Sequence, residues 1–315
     1  MAGSRIAIVW NPSKTSREDL EAALPESAAD AAISWHETSK DDPGRGATDE
    51  ALAAGAEVVV AAGGDGTVRA VAERLAEGET AELAIVPLGT GNLLARNLEV
   101  PVGDIAGALA RAFGGASNDR ESRAIDLGWV EGDVDGEHMR RAFTVMAGFG
   151  IDAHMIVETD DDLKSKVGWL AYVESLGRAF SASGVVEIDV AVDGEDPEWT
   201  AGHTLIIGNC GTLQGGIALL PDADPSDGEL DLLLLSAEGL GQWLDTLRSF
   251  VWDNGIRRLL GGPGRAQSAD TTTHARARNL AVALSQPRVL EIDGDDLGET
   301  TAFTIDIQPA AVRVR

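Results

Sequence analysis

Glu57-Val58-Val59-Val60-Ala61-Ala62-Gly63-Gly64-Asp65-Gly66-Thr67-Val68 decides the fold. Val58 to Ala62 is a short unbroken apolar run closed by two glycines, the pattern of a strand buried on both faces, and Val68 to Leu75 continues with helical composition. Working outward toward the N-terminus, Ile6-Ala7-Ile8-Val9-Trp10 ends in Asn11-Pro12 and leads toward a helix over Ser16 to Leu24. On the other side Leu83-Ala84-Ile85-Val86-Pro87 is a third strand stopped by Pro and Gly. Strand, helix, strand, helix, strand predicts a parallel sheet whose ligand loops lie at the carboxyl ends of its strands.

After about residue 125 the texture changes to short apolar runs separated by Gly, Asp and Pro: Ile125 to Val130, Ala142 to Met146, Val185 to Val192, His203 to Ile207, Leu230 to Leu235, Leu280 to Leu284, Val289 to Ile292 and Ala302 to Ile307. This half is expected to be mostly β. Two segments interrupt it with helical spacing, Trp169, Val173, Leu176 and Phe180, then Leu240, Trp243, Leu244, Leu247 and Val251. No internal repeat occurs.

Composition narrows the function. The 315 residues carry 52 Asp and Glu against 25 Lys and Arg, a formal charge of −27. Phosphate backbones are bound by Lys/Arg surfaces, and this chain has only four lysines, so nucleic acid is not an expected partner. A lone cysteine, Cys210, forms no intrachain disulfide and suits a reducing cytosol. The apolar run Ile6 to Trp10 is too short for a signal-peptide core, and no run approaches the ~18 apolar residues of a spanning helix, so a cytoplasmic protein, peripheral at most to a membrane, is expected.

The chemistry centres on Gly63-Gly64-Asp65-Gly66-Thr67. Glycines let backbone approach a phosphate, successive N–H groups form an anion nest, and the helix N-terminus adds a favourable dipole. Asp65 would repel bare phosphate, but it makes sense with magnesium between the two. Arg69 stands where a third glycine would complete a dinucleotide fingerprint, and Ser13 and Ile8 stand where a Walker A loop needs glycines, so neither of those folds is supported. A second loop, Pro87-Leu88-Gly89-Thr90-Gly91-Asn92, ends the third strand and is expected beside the first.

With these motifs in place the chain resembles the diacylglycerol kinase catalytic family, which includes sphingosine kinases and bacterial lipid kinases and is distantly similar to NAD kinases. The resemblance extends through Ile125-Asp126-Leu127-Gly128, Ala147-Gly148-Phe149-Gly150-Ile151-Asp152, Gly208-Asn209 with Gly215-Gly216, Pro221 to Asp231, and Asp293-Gly294-Asp295. It implies an α/β plus β architecture, the two-lobed NAD kinase/diacylglycerol kinase-like fold. Residues 1–125, with a returning strand at 302–315, would form the nucleotide-binding α/β lobe, and residues 126–301 the β-sandwich lipid-substrate lobe.

The implied activity is an ATP- and Mg2+-dependent lipid kinase acting on a primary hydroxyl of diacylglycerol or a related lipid alcohol. The alternatives are an NAD kinase-like enzyme or a nucleotide- or lipid-binding paralogue of weak activity. Asn11, Thr38, Gly63, Gly64, Asp65, Gly66, Thr67 and Thr90 fall on family nucleotide-contact positions, and Asp65 and Asp126 on carboxylates that organise magnesium and water. Asp224, Asp227 and the Glu229 carbonyl match a second magnesium site. Asp295 falls where the family has a glutamate as general base; it has the same chemistry but is one methylene shorter, with Asp296 and Glu299 near enough in sequence to substitute. Arg69, where many relatives have asparagine, could contact phosphate or cap surface charge. The expected partner is a lipid at the inner face of the membrane, with apolar contact from the Trp169 to Phe180 and Leu240 to Leu260 stripes offsetting charge repulsion and Arg248, Arg257 and Arg258 of the latter meeting lipid headgroups; a homodimer is an open alternative.

Overall fold

The computed structural model describes residues 4–78, 80–114, 122–150, 184–213, 219–235 and 272–315. In the first lobe β1 (Arg5–Trp10), α1 (Arg17–Ala22), β2 (Ala32–Glu37), α2 (Arg45–Ala53), β3 (Val58–Gly63), α3 (Asp65–Leu75) and β4 (Glu82–Pro87) follow one another, with α4 (Leu93–Asn97) and α5 (Ile105–Ala112) after them. β1, β3 and β4 are apolar along nearly their whole length because each is an interior strand of a parallel sheet ordered β2-β1-β3-β4. β2 is the exposed edge, and its half-buried Ile-Ser-Trp-His sequence lacks the continuous run that betrays the others. α3 begins at Asp65, three residues ahead of the apolar pattern, because the glycine loop itself forms the first helical turn.

The second lobe is β throughout its described residues. β5 (Arg123–Val134), β6 (Glu137–Phe143), β7 (Met146–Phe149), β8 (Val186–Val192), β9 (Glu198–Gly202), β10 (Thr204–Gly208), β11 (Leu230–Leu235), β12 (Thr272–Ala277), β13 (Asn279–Ile292) and β14 (Asp295–Val314) succeed one another. Ala142 to Met146, expected as one strand, is broken at Thr144 and Val145, while the two strands expected between Leu280 and Ile292 are a single β13 with a register shift between Ala283 and Arg288.

The lobes are joined through one path of paired strands, β12-β11-β10-β7-β13-β14-β4-β3-β1-β2. β14 is the connector: it pairs antiparallel with β13 and β5 and ends parallel to β4 at Val314 and Leu83. Of the two apolar cores, the one under the parallel sheet also takes in Val145, Met146, Ile206 and Val312, while the other is a sandwich core around Phe143, Phe149, Ile188, Leu205, Phe303 and Ile305. The helical stripes at Trp169 to Phe180 and Leu240 to Val251, Arg248, Arg257 and Arg258, and the Ile151-Asp152 and Gly215-Gly216 matches lie outside the described residues.

Candidate active site

A cleft of about 270 Å³ opens where the carboxyl ends of β3 and β4 face the second lobe. Its floor is the two glycine loops, and they touch: a Cβ on Gly89 would fall 2.7 Å from the Cα of Gly64, so a side chain there would drive the loops apart. Asp65 locks them together. Its Oδ2 accepts the Asn92 N–H at 2.8 Å and its Oδ1 the Leu93 N–H at 2.6 Å, while the Asn92 side chain bridges back to the backbone N–H and C=O of Gly89.

The opposite wall is the hairpin between β13 and β14. Asp293 and Gly294 both have positive φ, 49° and 88°, as a two-residue hairpin turn requires, and Asp-Gly suits that geometry. The Asp293 carboxylate is buried and accepts four bonds, from the N–H groups of Thr144, Val145 and Met146 and from the Thr144 hydroxyl, at 2.8–3.0 Å. That is why β6 breaks before β7: the intervening N–H groups turn inward to an anion. Asp295 then projects from the turn over the first glycine loop, its Oδ2 3.5 Å from where a Gly66 Cβ would stand. Arg69 of α3 donates to that Oδ2 at 2.7 Å. Leu93, Met146, Ala147, Phe149 and Leu213 make the rest of the cleft apolar, and Lys14 stands at its mouth.

Burial, reinforced by the charge of Asp293, pushes the Asp65 carboxyl up to about 6 from its usual 3.8, against the N–H groups that hold it down. A carboxyl raised on folding binds more protons in the native than in the unfolded state, so its ionisation lowers stability as pH climbs through that window. Between pH of about 4 and about 7, in EDTA, the wild type is expected to lose up to about 3 kcal/mol relative to Asp65→Asn. Urea melts across that range check it, and a difference that stays flat with pH would show that Asp65 is not held in this state.

Residues 5–130 match the family model of the diacylglycerol kinase catalytic domain, and residues 144–315 that of the YegS C-terminal NAD kinase beta sandwich-like domain. The chain belongs to the diacylglycerol kinase catalytic family of lipid kinases. A "Probable lipid kinase YegS-like" protein of Pseudomonas aeruginosa is 32% identical over 320 residues, covering 100% of this chain and 95% of that protein. A protein of the same description from Pseudomonas syringae pv. syringae is 36% identical over 270 residues, 84% of this chain and 77% of the other. A crystal structure of a diacylglycerol kinase from Bacillus anthracis shares the fold with a TM-score of 0.67 at 18% identity, covering 99% of this chain and 96% of that one.

In the kinase, Gly64, Asp65, Gly66, Thr90 and Asp295 line one cleft. Gly63 and Thr67 lie beneath that floor, Asn11 caps the end of β1 with its side chain accepting from Ser13, and Thr38 is buried beyond the end of β2; none of these four lines the cleft. Asp126 is not brought there either. It is buried, and its two oxygens accept the N–H groups of Gly228 and Ala310, so it ties the acidic turn to β14.

Arg123 donates to Asp224, and Arg276 lies 3.6 Å from Asp227 and from the Glu229 carboxylate, so the side chains of this acidic turn are paired with guanidinium groups. No group of three or more His, Cys, Asp or Glu among the described residues is disposed to hold a metal. Burial pushes the Cys210 thiol far up, as befits a packed small residue. The cleft also contains residues that the sequence reading left without a role: Lys14, Leu93, Glu291 and Asp293. A lysine just past a strand end, in a chain with four lysines, was the available signal for the first; the others depend on tertiary contacts. No helix among the described residues is long and apolar enough to cross a membrane.

Proposed function

We propose that the kinase transfers the γ-phosphoryl group of ATP, with magnesium, to the primary hydroxyl of diacylglycerol or a related lipid alcohol. The observation that carries this reading is the carboxylate of Asp295, held over two touching glycine loops in a cleft with an apolar wall. Its Oδ1 takes no hydrogen bond from a described residue, and this oxygen accepts the hydroxyl proton during attack. α3 aims its N-terminus into the cleft from the first glycine loop, where a phosphate gains from the dipole. Lys14 supplies a mobile cation at the mouth.

Asp65, Glu291, Asp293 and Asp295 all line the cleft, and a triphosphate entering it meets like charge. Hard oxygen donors of this kind fit magnesium, which the Asp65 carboxylate would help to hold; when bound it would neutralise the charge of the transferring phosphoryl group. The apolar wall of Leu93, Met146, Phe149 and Leu213 suits an acyl-bearing acceptor and supports a lipid at a membrane surface over NAD.

The test is phosphotransfer by the purified protein from ATP and magnesium to a panel of diacylglycerol, ceramide, sphingoid base, isoprenol and NAD in mixed micelles. Phosphorylated diacylglycerol or another lipid alcohol is expected. Phosphorylation of NAD alone, or ATP binding with no product, would overturn the proposal.

A further inference from the structure

We propose that Arg69 is the positioning residue for the general base: it fixes the Asp295 carboxylate over the first glycine loop and acts on turnover only through Asp295. The inference rests on the function proposed above. Arg69 lies one helical turn beyond Gly66 on α3, so its side chain stands beside the glycine that Asp295 overhangs. Its guanidinium makes two bonds to the β13–β14 hairpin, one from Nη1 to the Ile292 carbonyl at 3.0 Å and one from Nη2 to Asp295 Oδ2 at 2.7 Å. Ile292 and Asp295 face each other across the turn, so one planar fork grips both strands of the hairpin at its stem.

The two ends of this contact differ in exposure. The Arg69 side chain is 15% exposed and the Asp295 side chain 55%. Asp293 anchors the turn's backbone from within, but nothing else among the described residues holds the Asp295 side chain. Without Arg69 the carboxylate would sample its solvent-facing rotamers, and the reacting oxygen would lose its fixed direction. An ion pair this open adds little to stability, whereas misplacing a base by about 1 Å can cost a hundredfold in rate. The loss should therefore fall on turnover and leave folding and nucleotide binding alone. A phosphate contact by Arg69 would do the reverse, raising KM for ATP.

The experiment is a double-mutant cycle with Arg69→Met, which keeps the aliphatic stem, and Asp295→Ala, read as kcat and KM in the lipid phosphotransfer assay with thermal melts alongside. Arg69→Met is expected to lower kcat about tenfold or more, with KM for ATP and the melting temperature nearly unchanged. Arg69→Lys, which keeps the charge and can make only part of the fork, should fall between wild type and Arg69→Met, and it serves if the methionine variant folds poorly. In the Asp295→Ala background, Arg69→Met should have no further effect. An equal loss in both backgrounds, or a raised KM with normal kcat, overturns the assignment while the proposed function stands. Failure of the wild type to phosphorylate any lipid overturns that function, and this inference with it.

Discussion

Asp293→Ala is expected to destabilise the protein by roughly 3–5 kcal/mol, the largest single-site stability effect predicted here. The substitution strands three N–H groups and a hydroxyl around Thr144 to Met146, all of which now converge on one buried carboxylate. Alanine would also have to adopt the left-handed backbone, φ 49°, that aspartate tolerates better. Asp293→Asn separates the two costs: it keeps the turn conformation but points an amide donor at donors, and should lose less than alanine. In a chain of this size the alanine variant should melt about 5–8 °C below wild type by calorimetry. A drop of less than about 1 kcal/mol would mean that the β6–β7 break is held by other contacts.

Asp295→Ala should lower turnover by about 10²–10⁴ and leave ATP affinity within about threefold, because a general base acts on the acceptor hydroxyl and not on bound nucleotide. The side chain is more than half exposed, so stability should hardly change, which makes the kinetic loss easy to interpret. Initial rates under saturating ATP and lipid, with a separate nucleotide titration, check both halves. Full activity in the alanine variant would move proton acceptance elsewhere, with Asp296 and Glu299 next along the chain.

The contrast between these two aspartates shows what the sequence could reveal. Continuous apolar runs closed by Asn11-Pro12, Gly63-Gly64 and Pro87-Leu88-Gly89 made β1, β3 and β4 readable, because an interior parallel strand needs no polar face. The glycine motifs located the cleft floor for a related reason: only residues without a Cβ let two loops touch. What stayed hidden was pairing at long range. Arg69 meets Asp295 across 226 positions, and Asp126 reaches Ala310 across 184, and no local pattern encodes either. The arginines that pair with the acidic turn at Asp224 to Glu229, Arg123 and Arg276, come from distant strands and were equally hidden. α2 and α5 escaped because they are short, nine and eight residues, and rich in alanine.

β14 sets the order in which the molecule can be completed during synthesis. The first lobe leaves the ribosome with β4 as an open sheet margin, and the strand that covers it arrives more than 220 residues later, when Val314 reaches Leu83. Val145, Met146 and Ile206, which share the core under the parallel sheet, are also synthesised after the first lobe. A first lobe without these parts has exposed apolar surface and an unpaired margin, the combination that invites association between growing chains. Its strongly acidic composition, which does nothing to draw in an anionic nucleotide, keeps neighbouring nascent chains apart by mutual repulsion while the last strand is awaited.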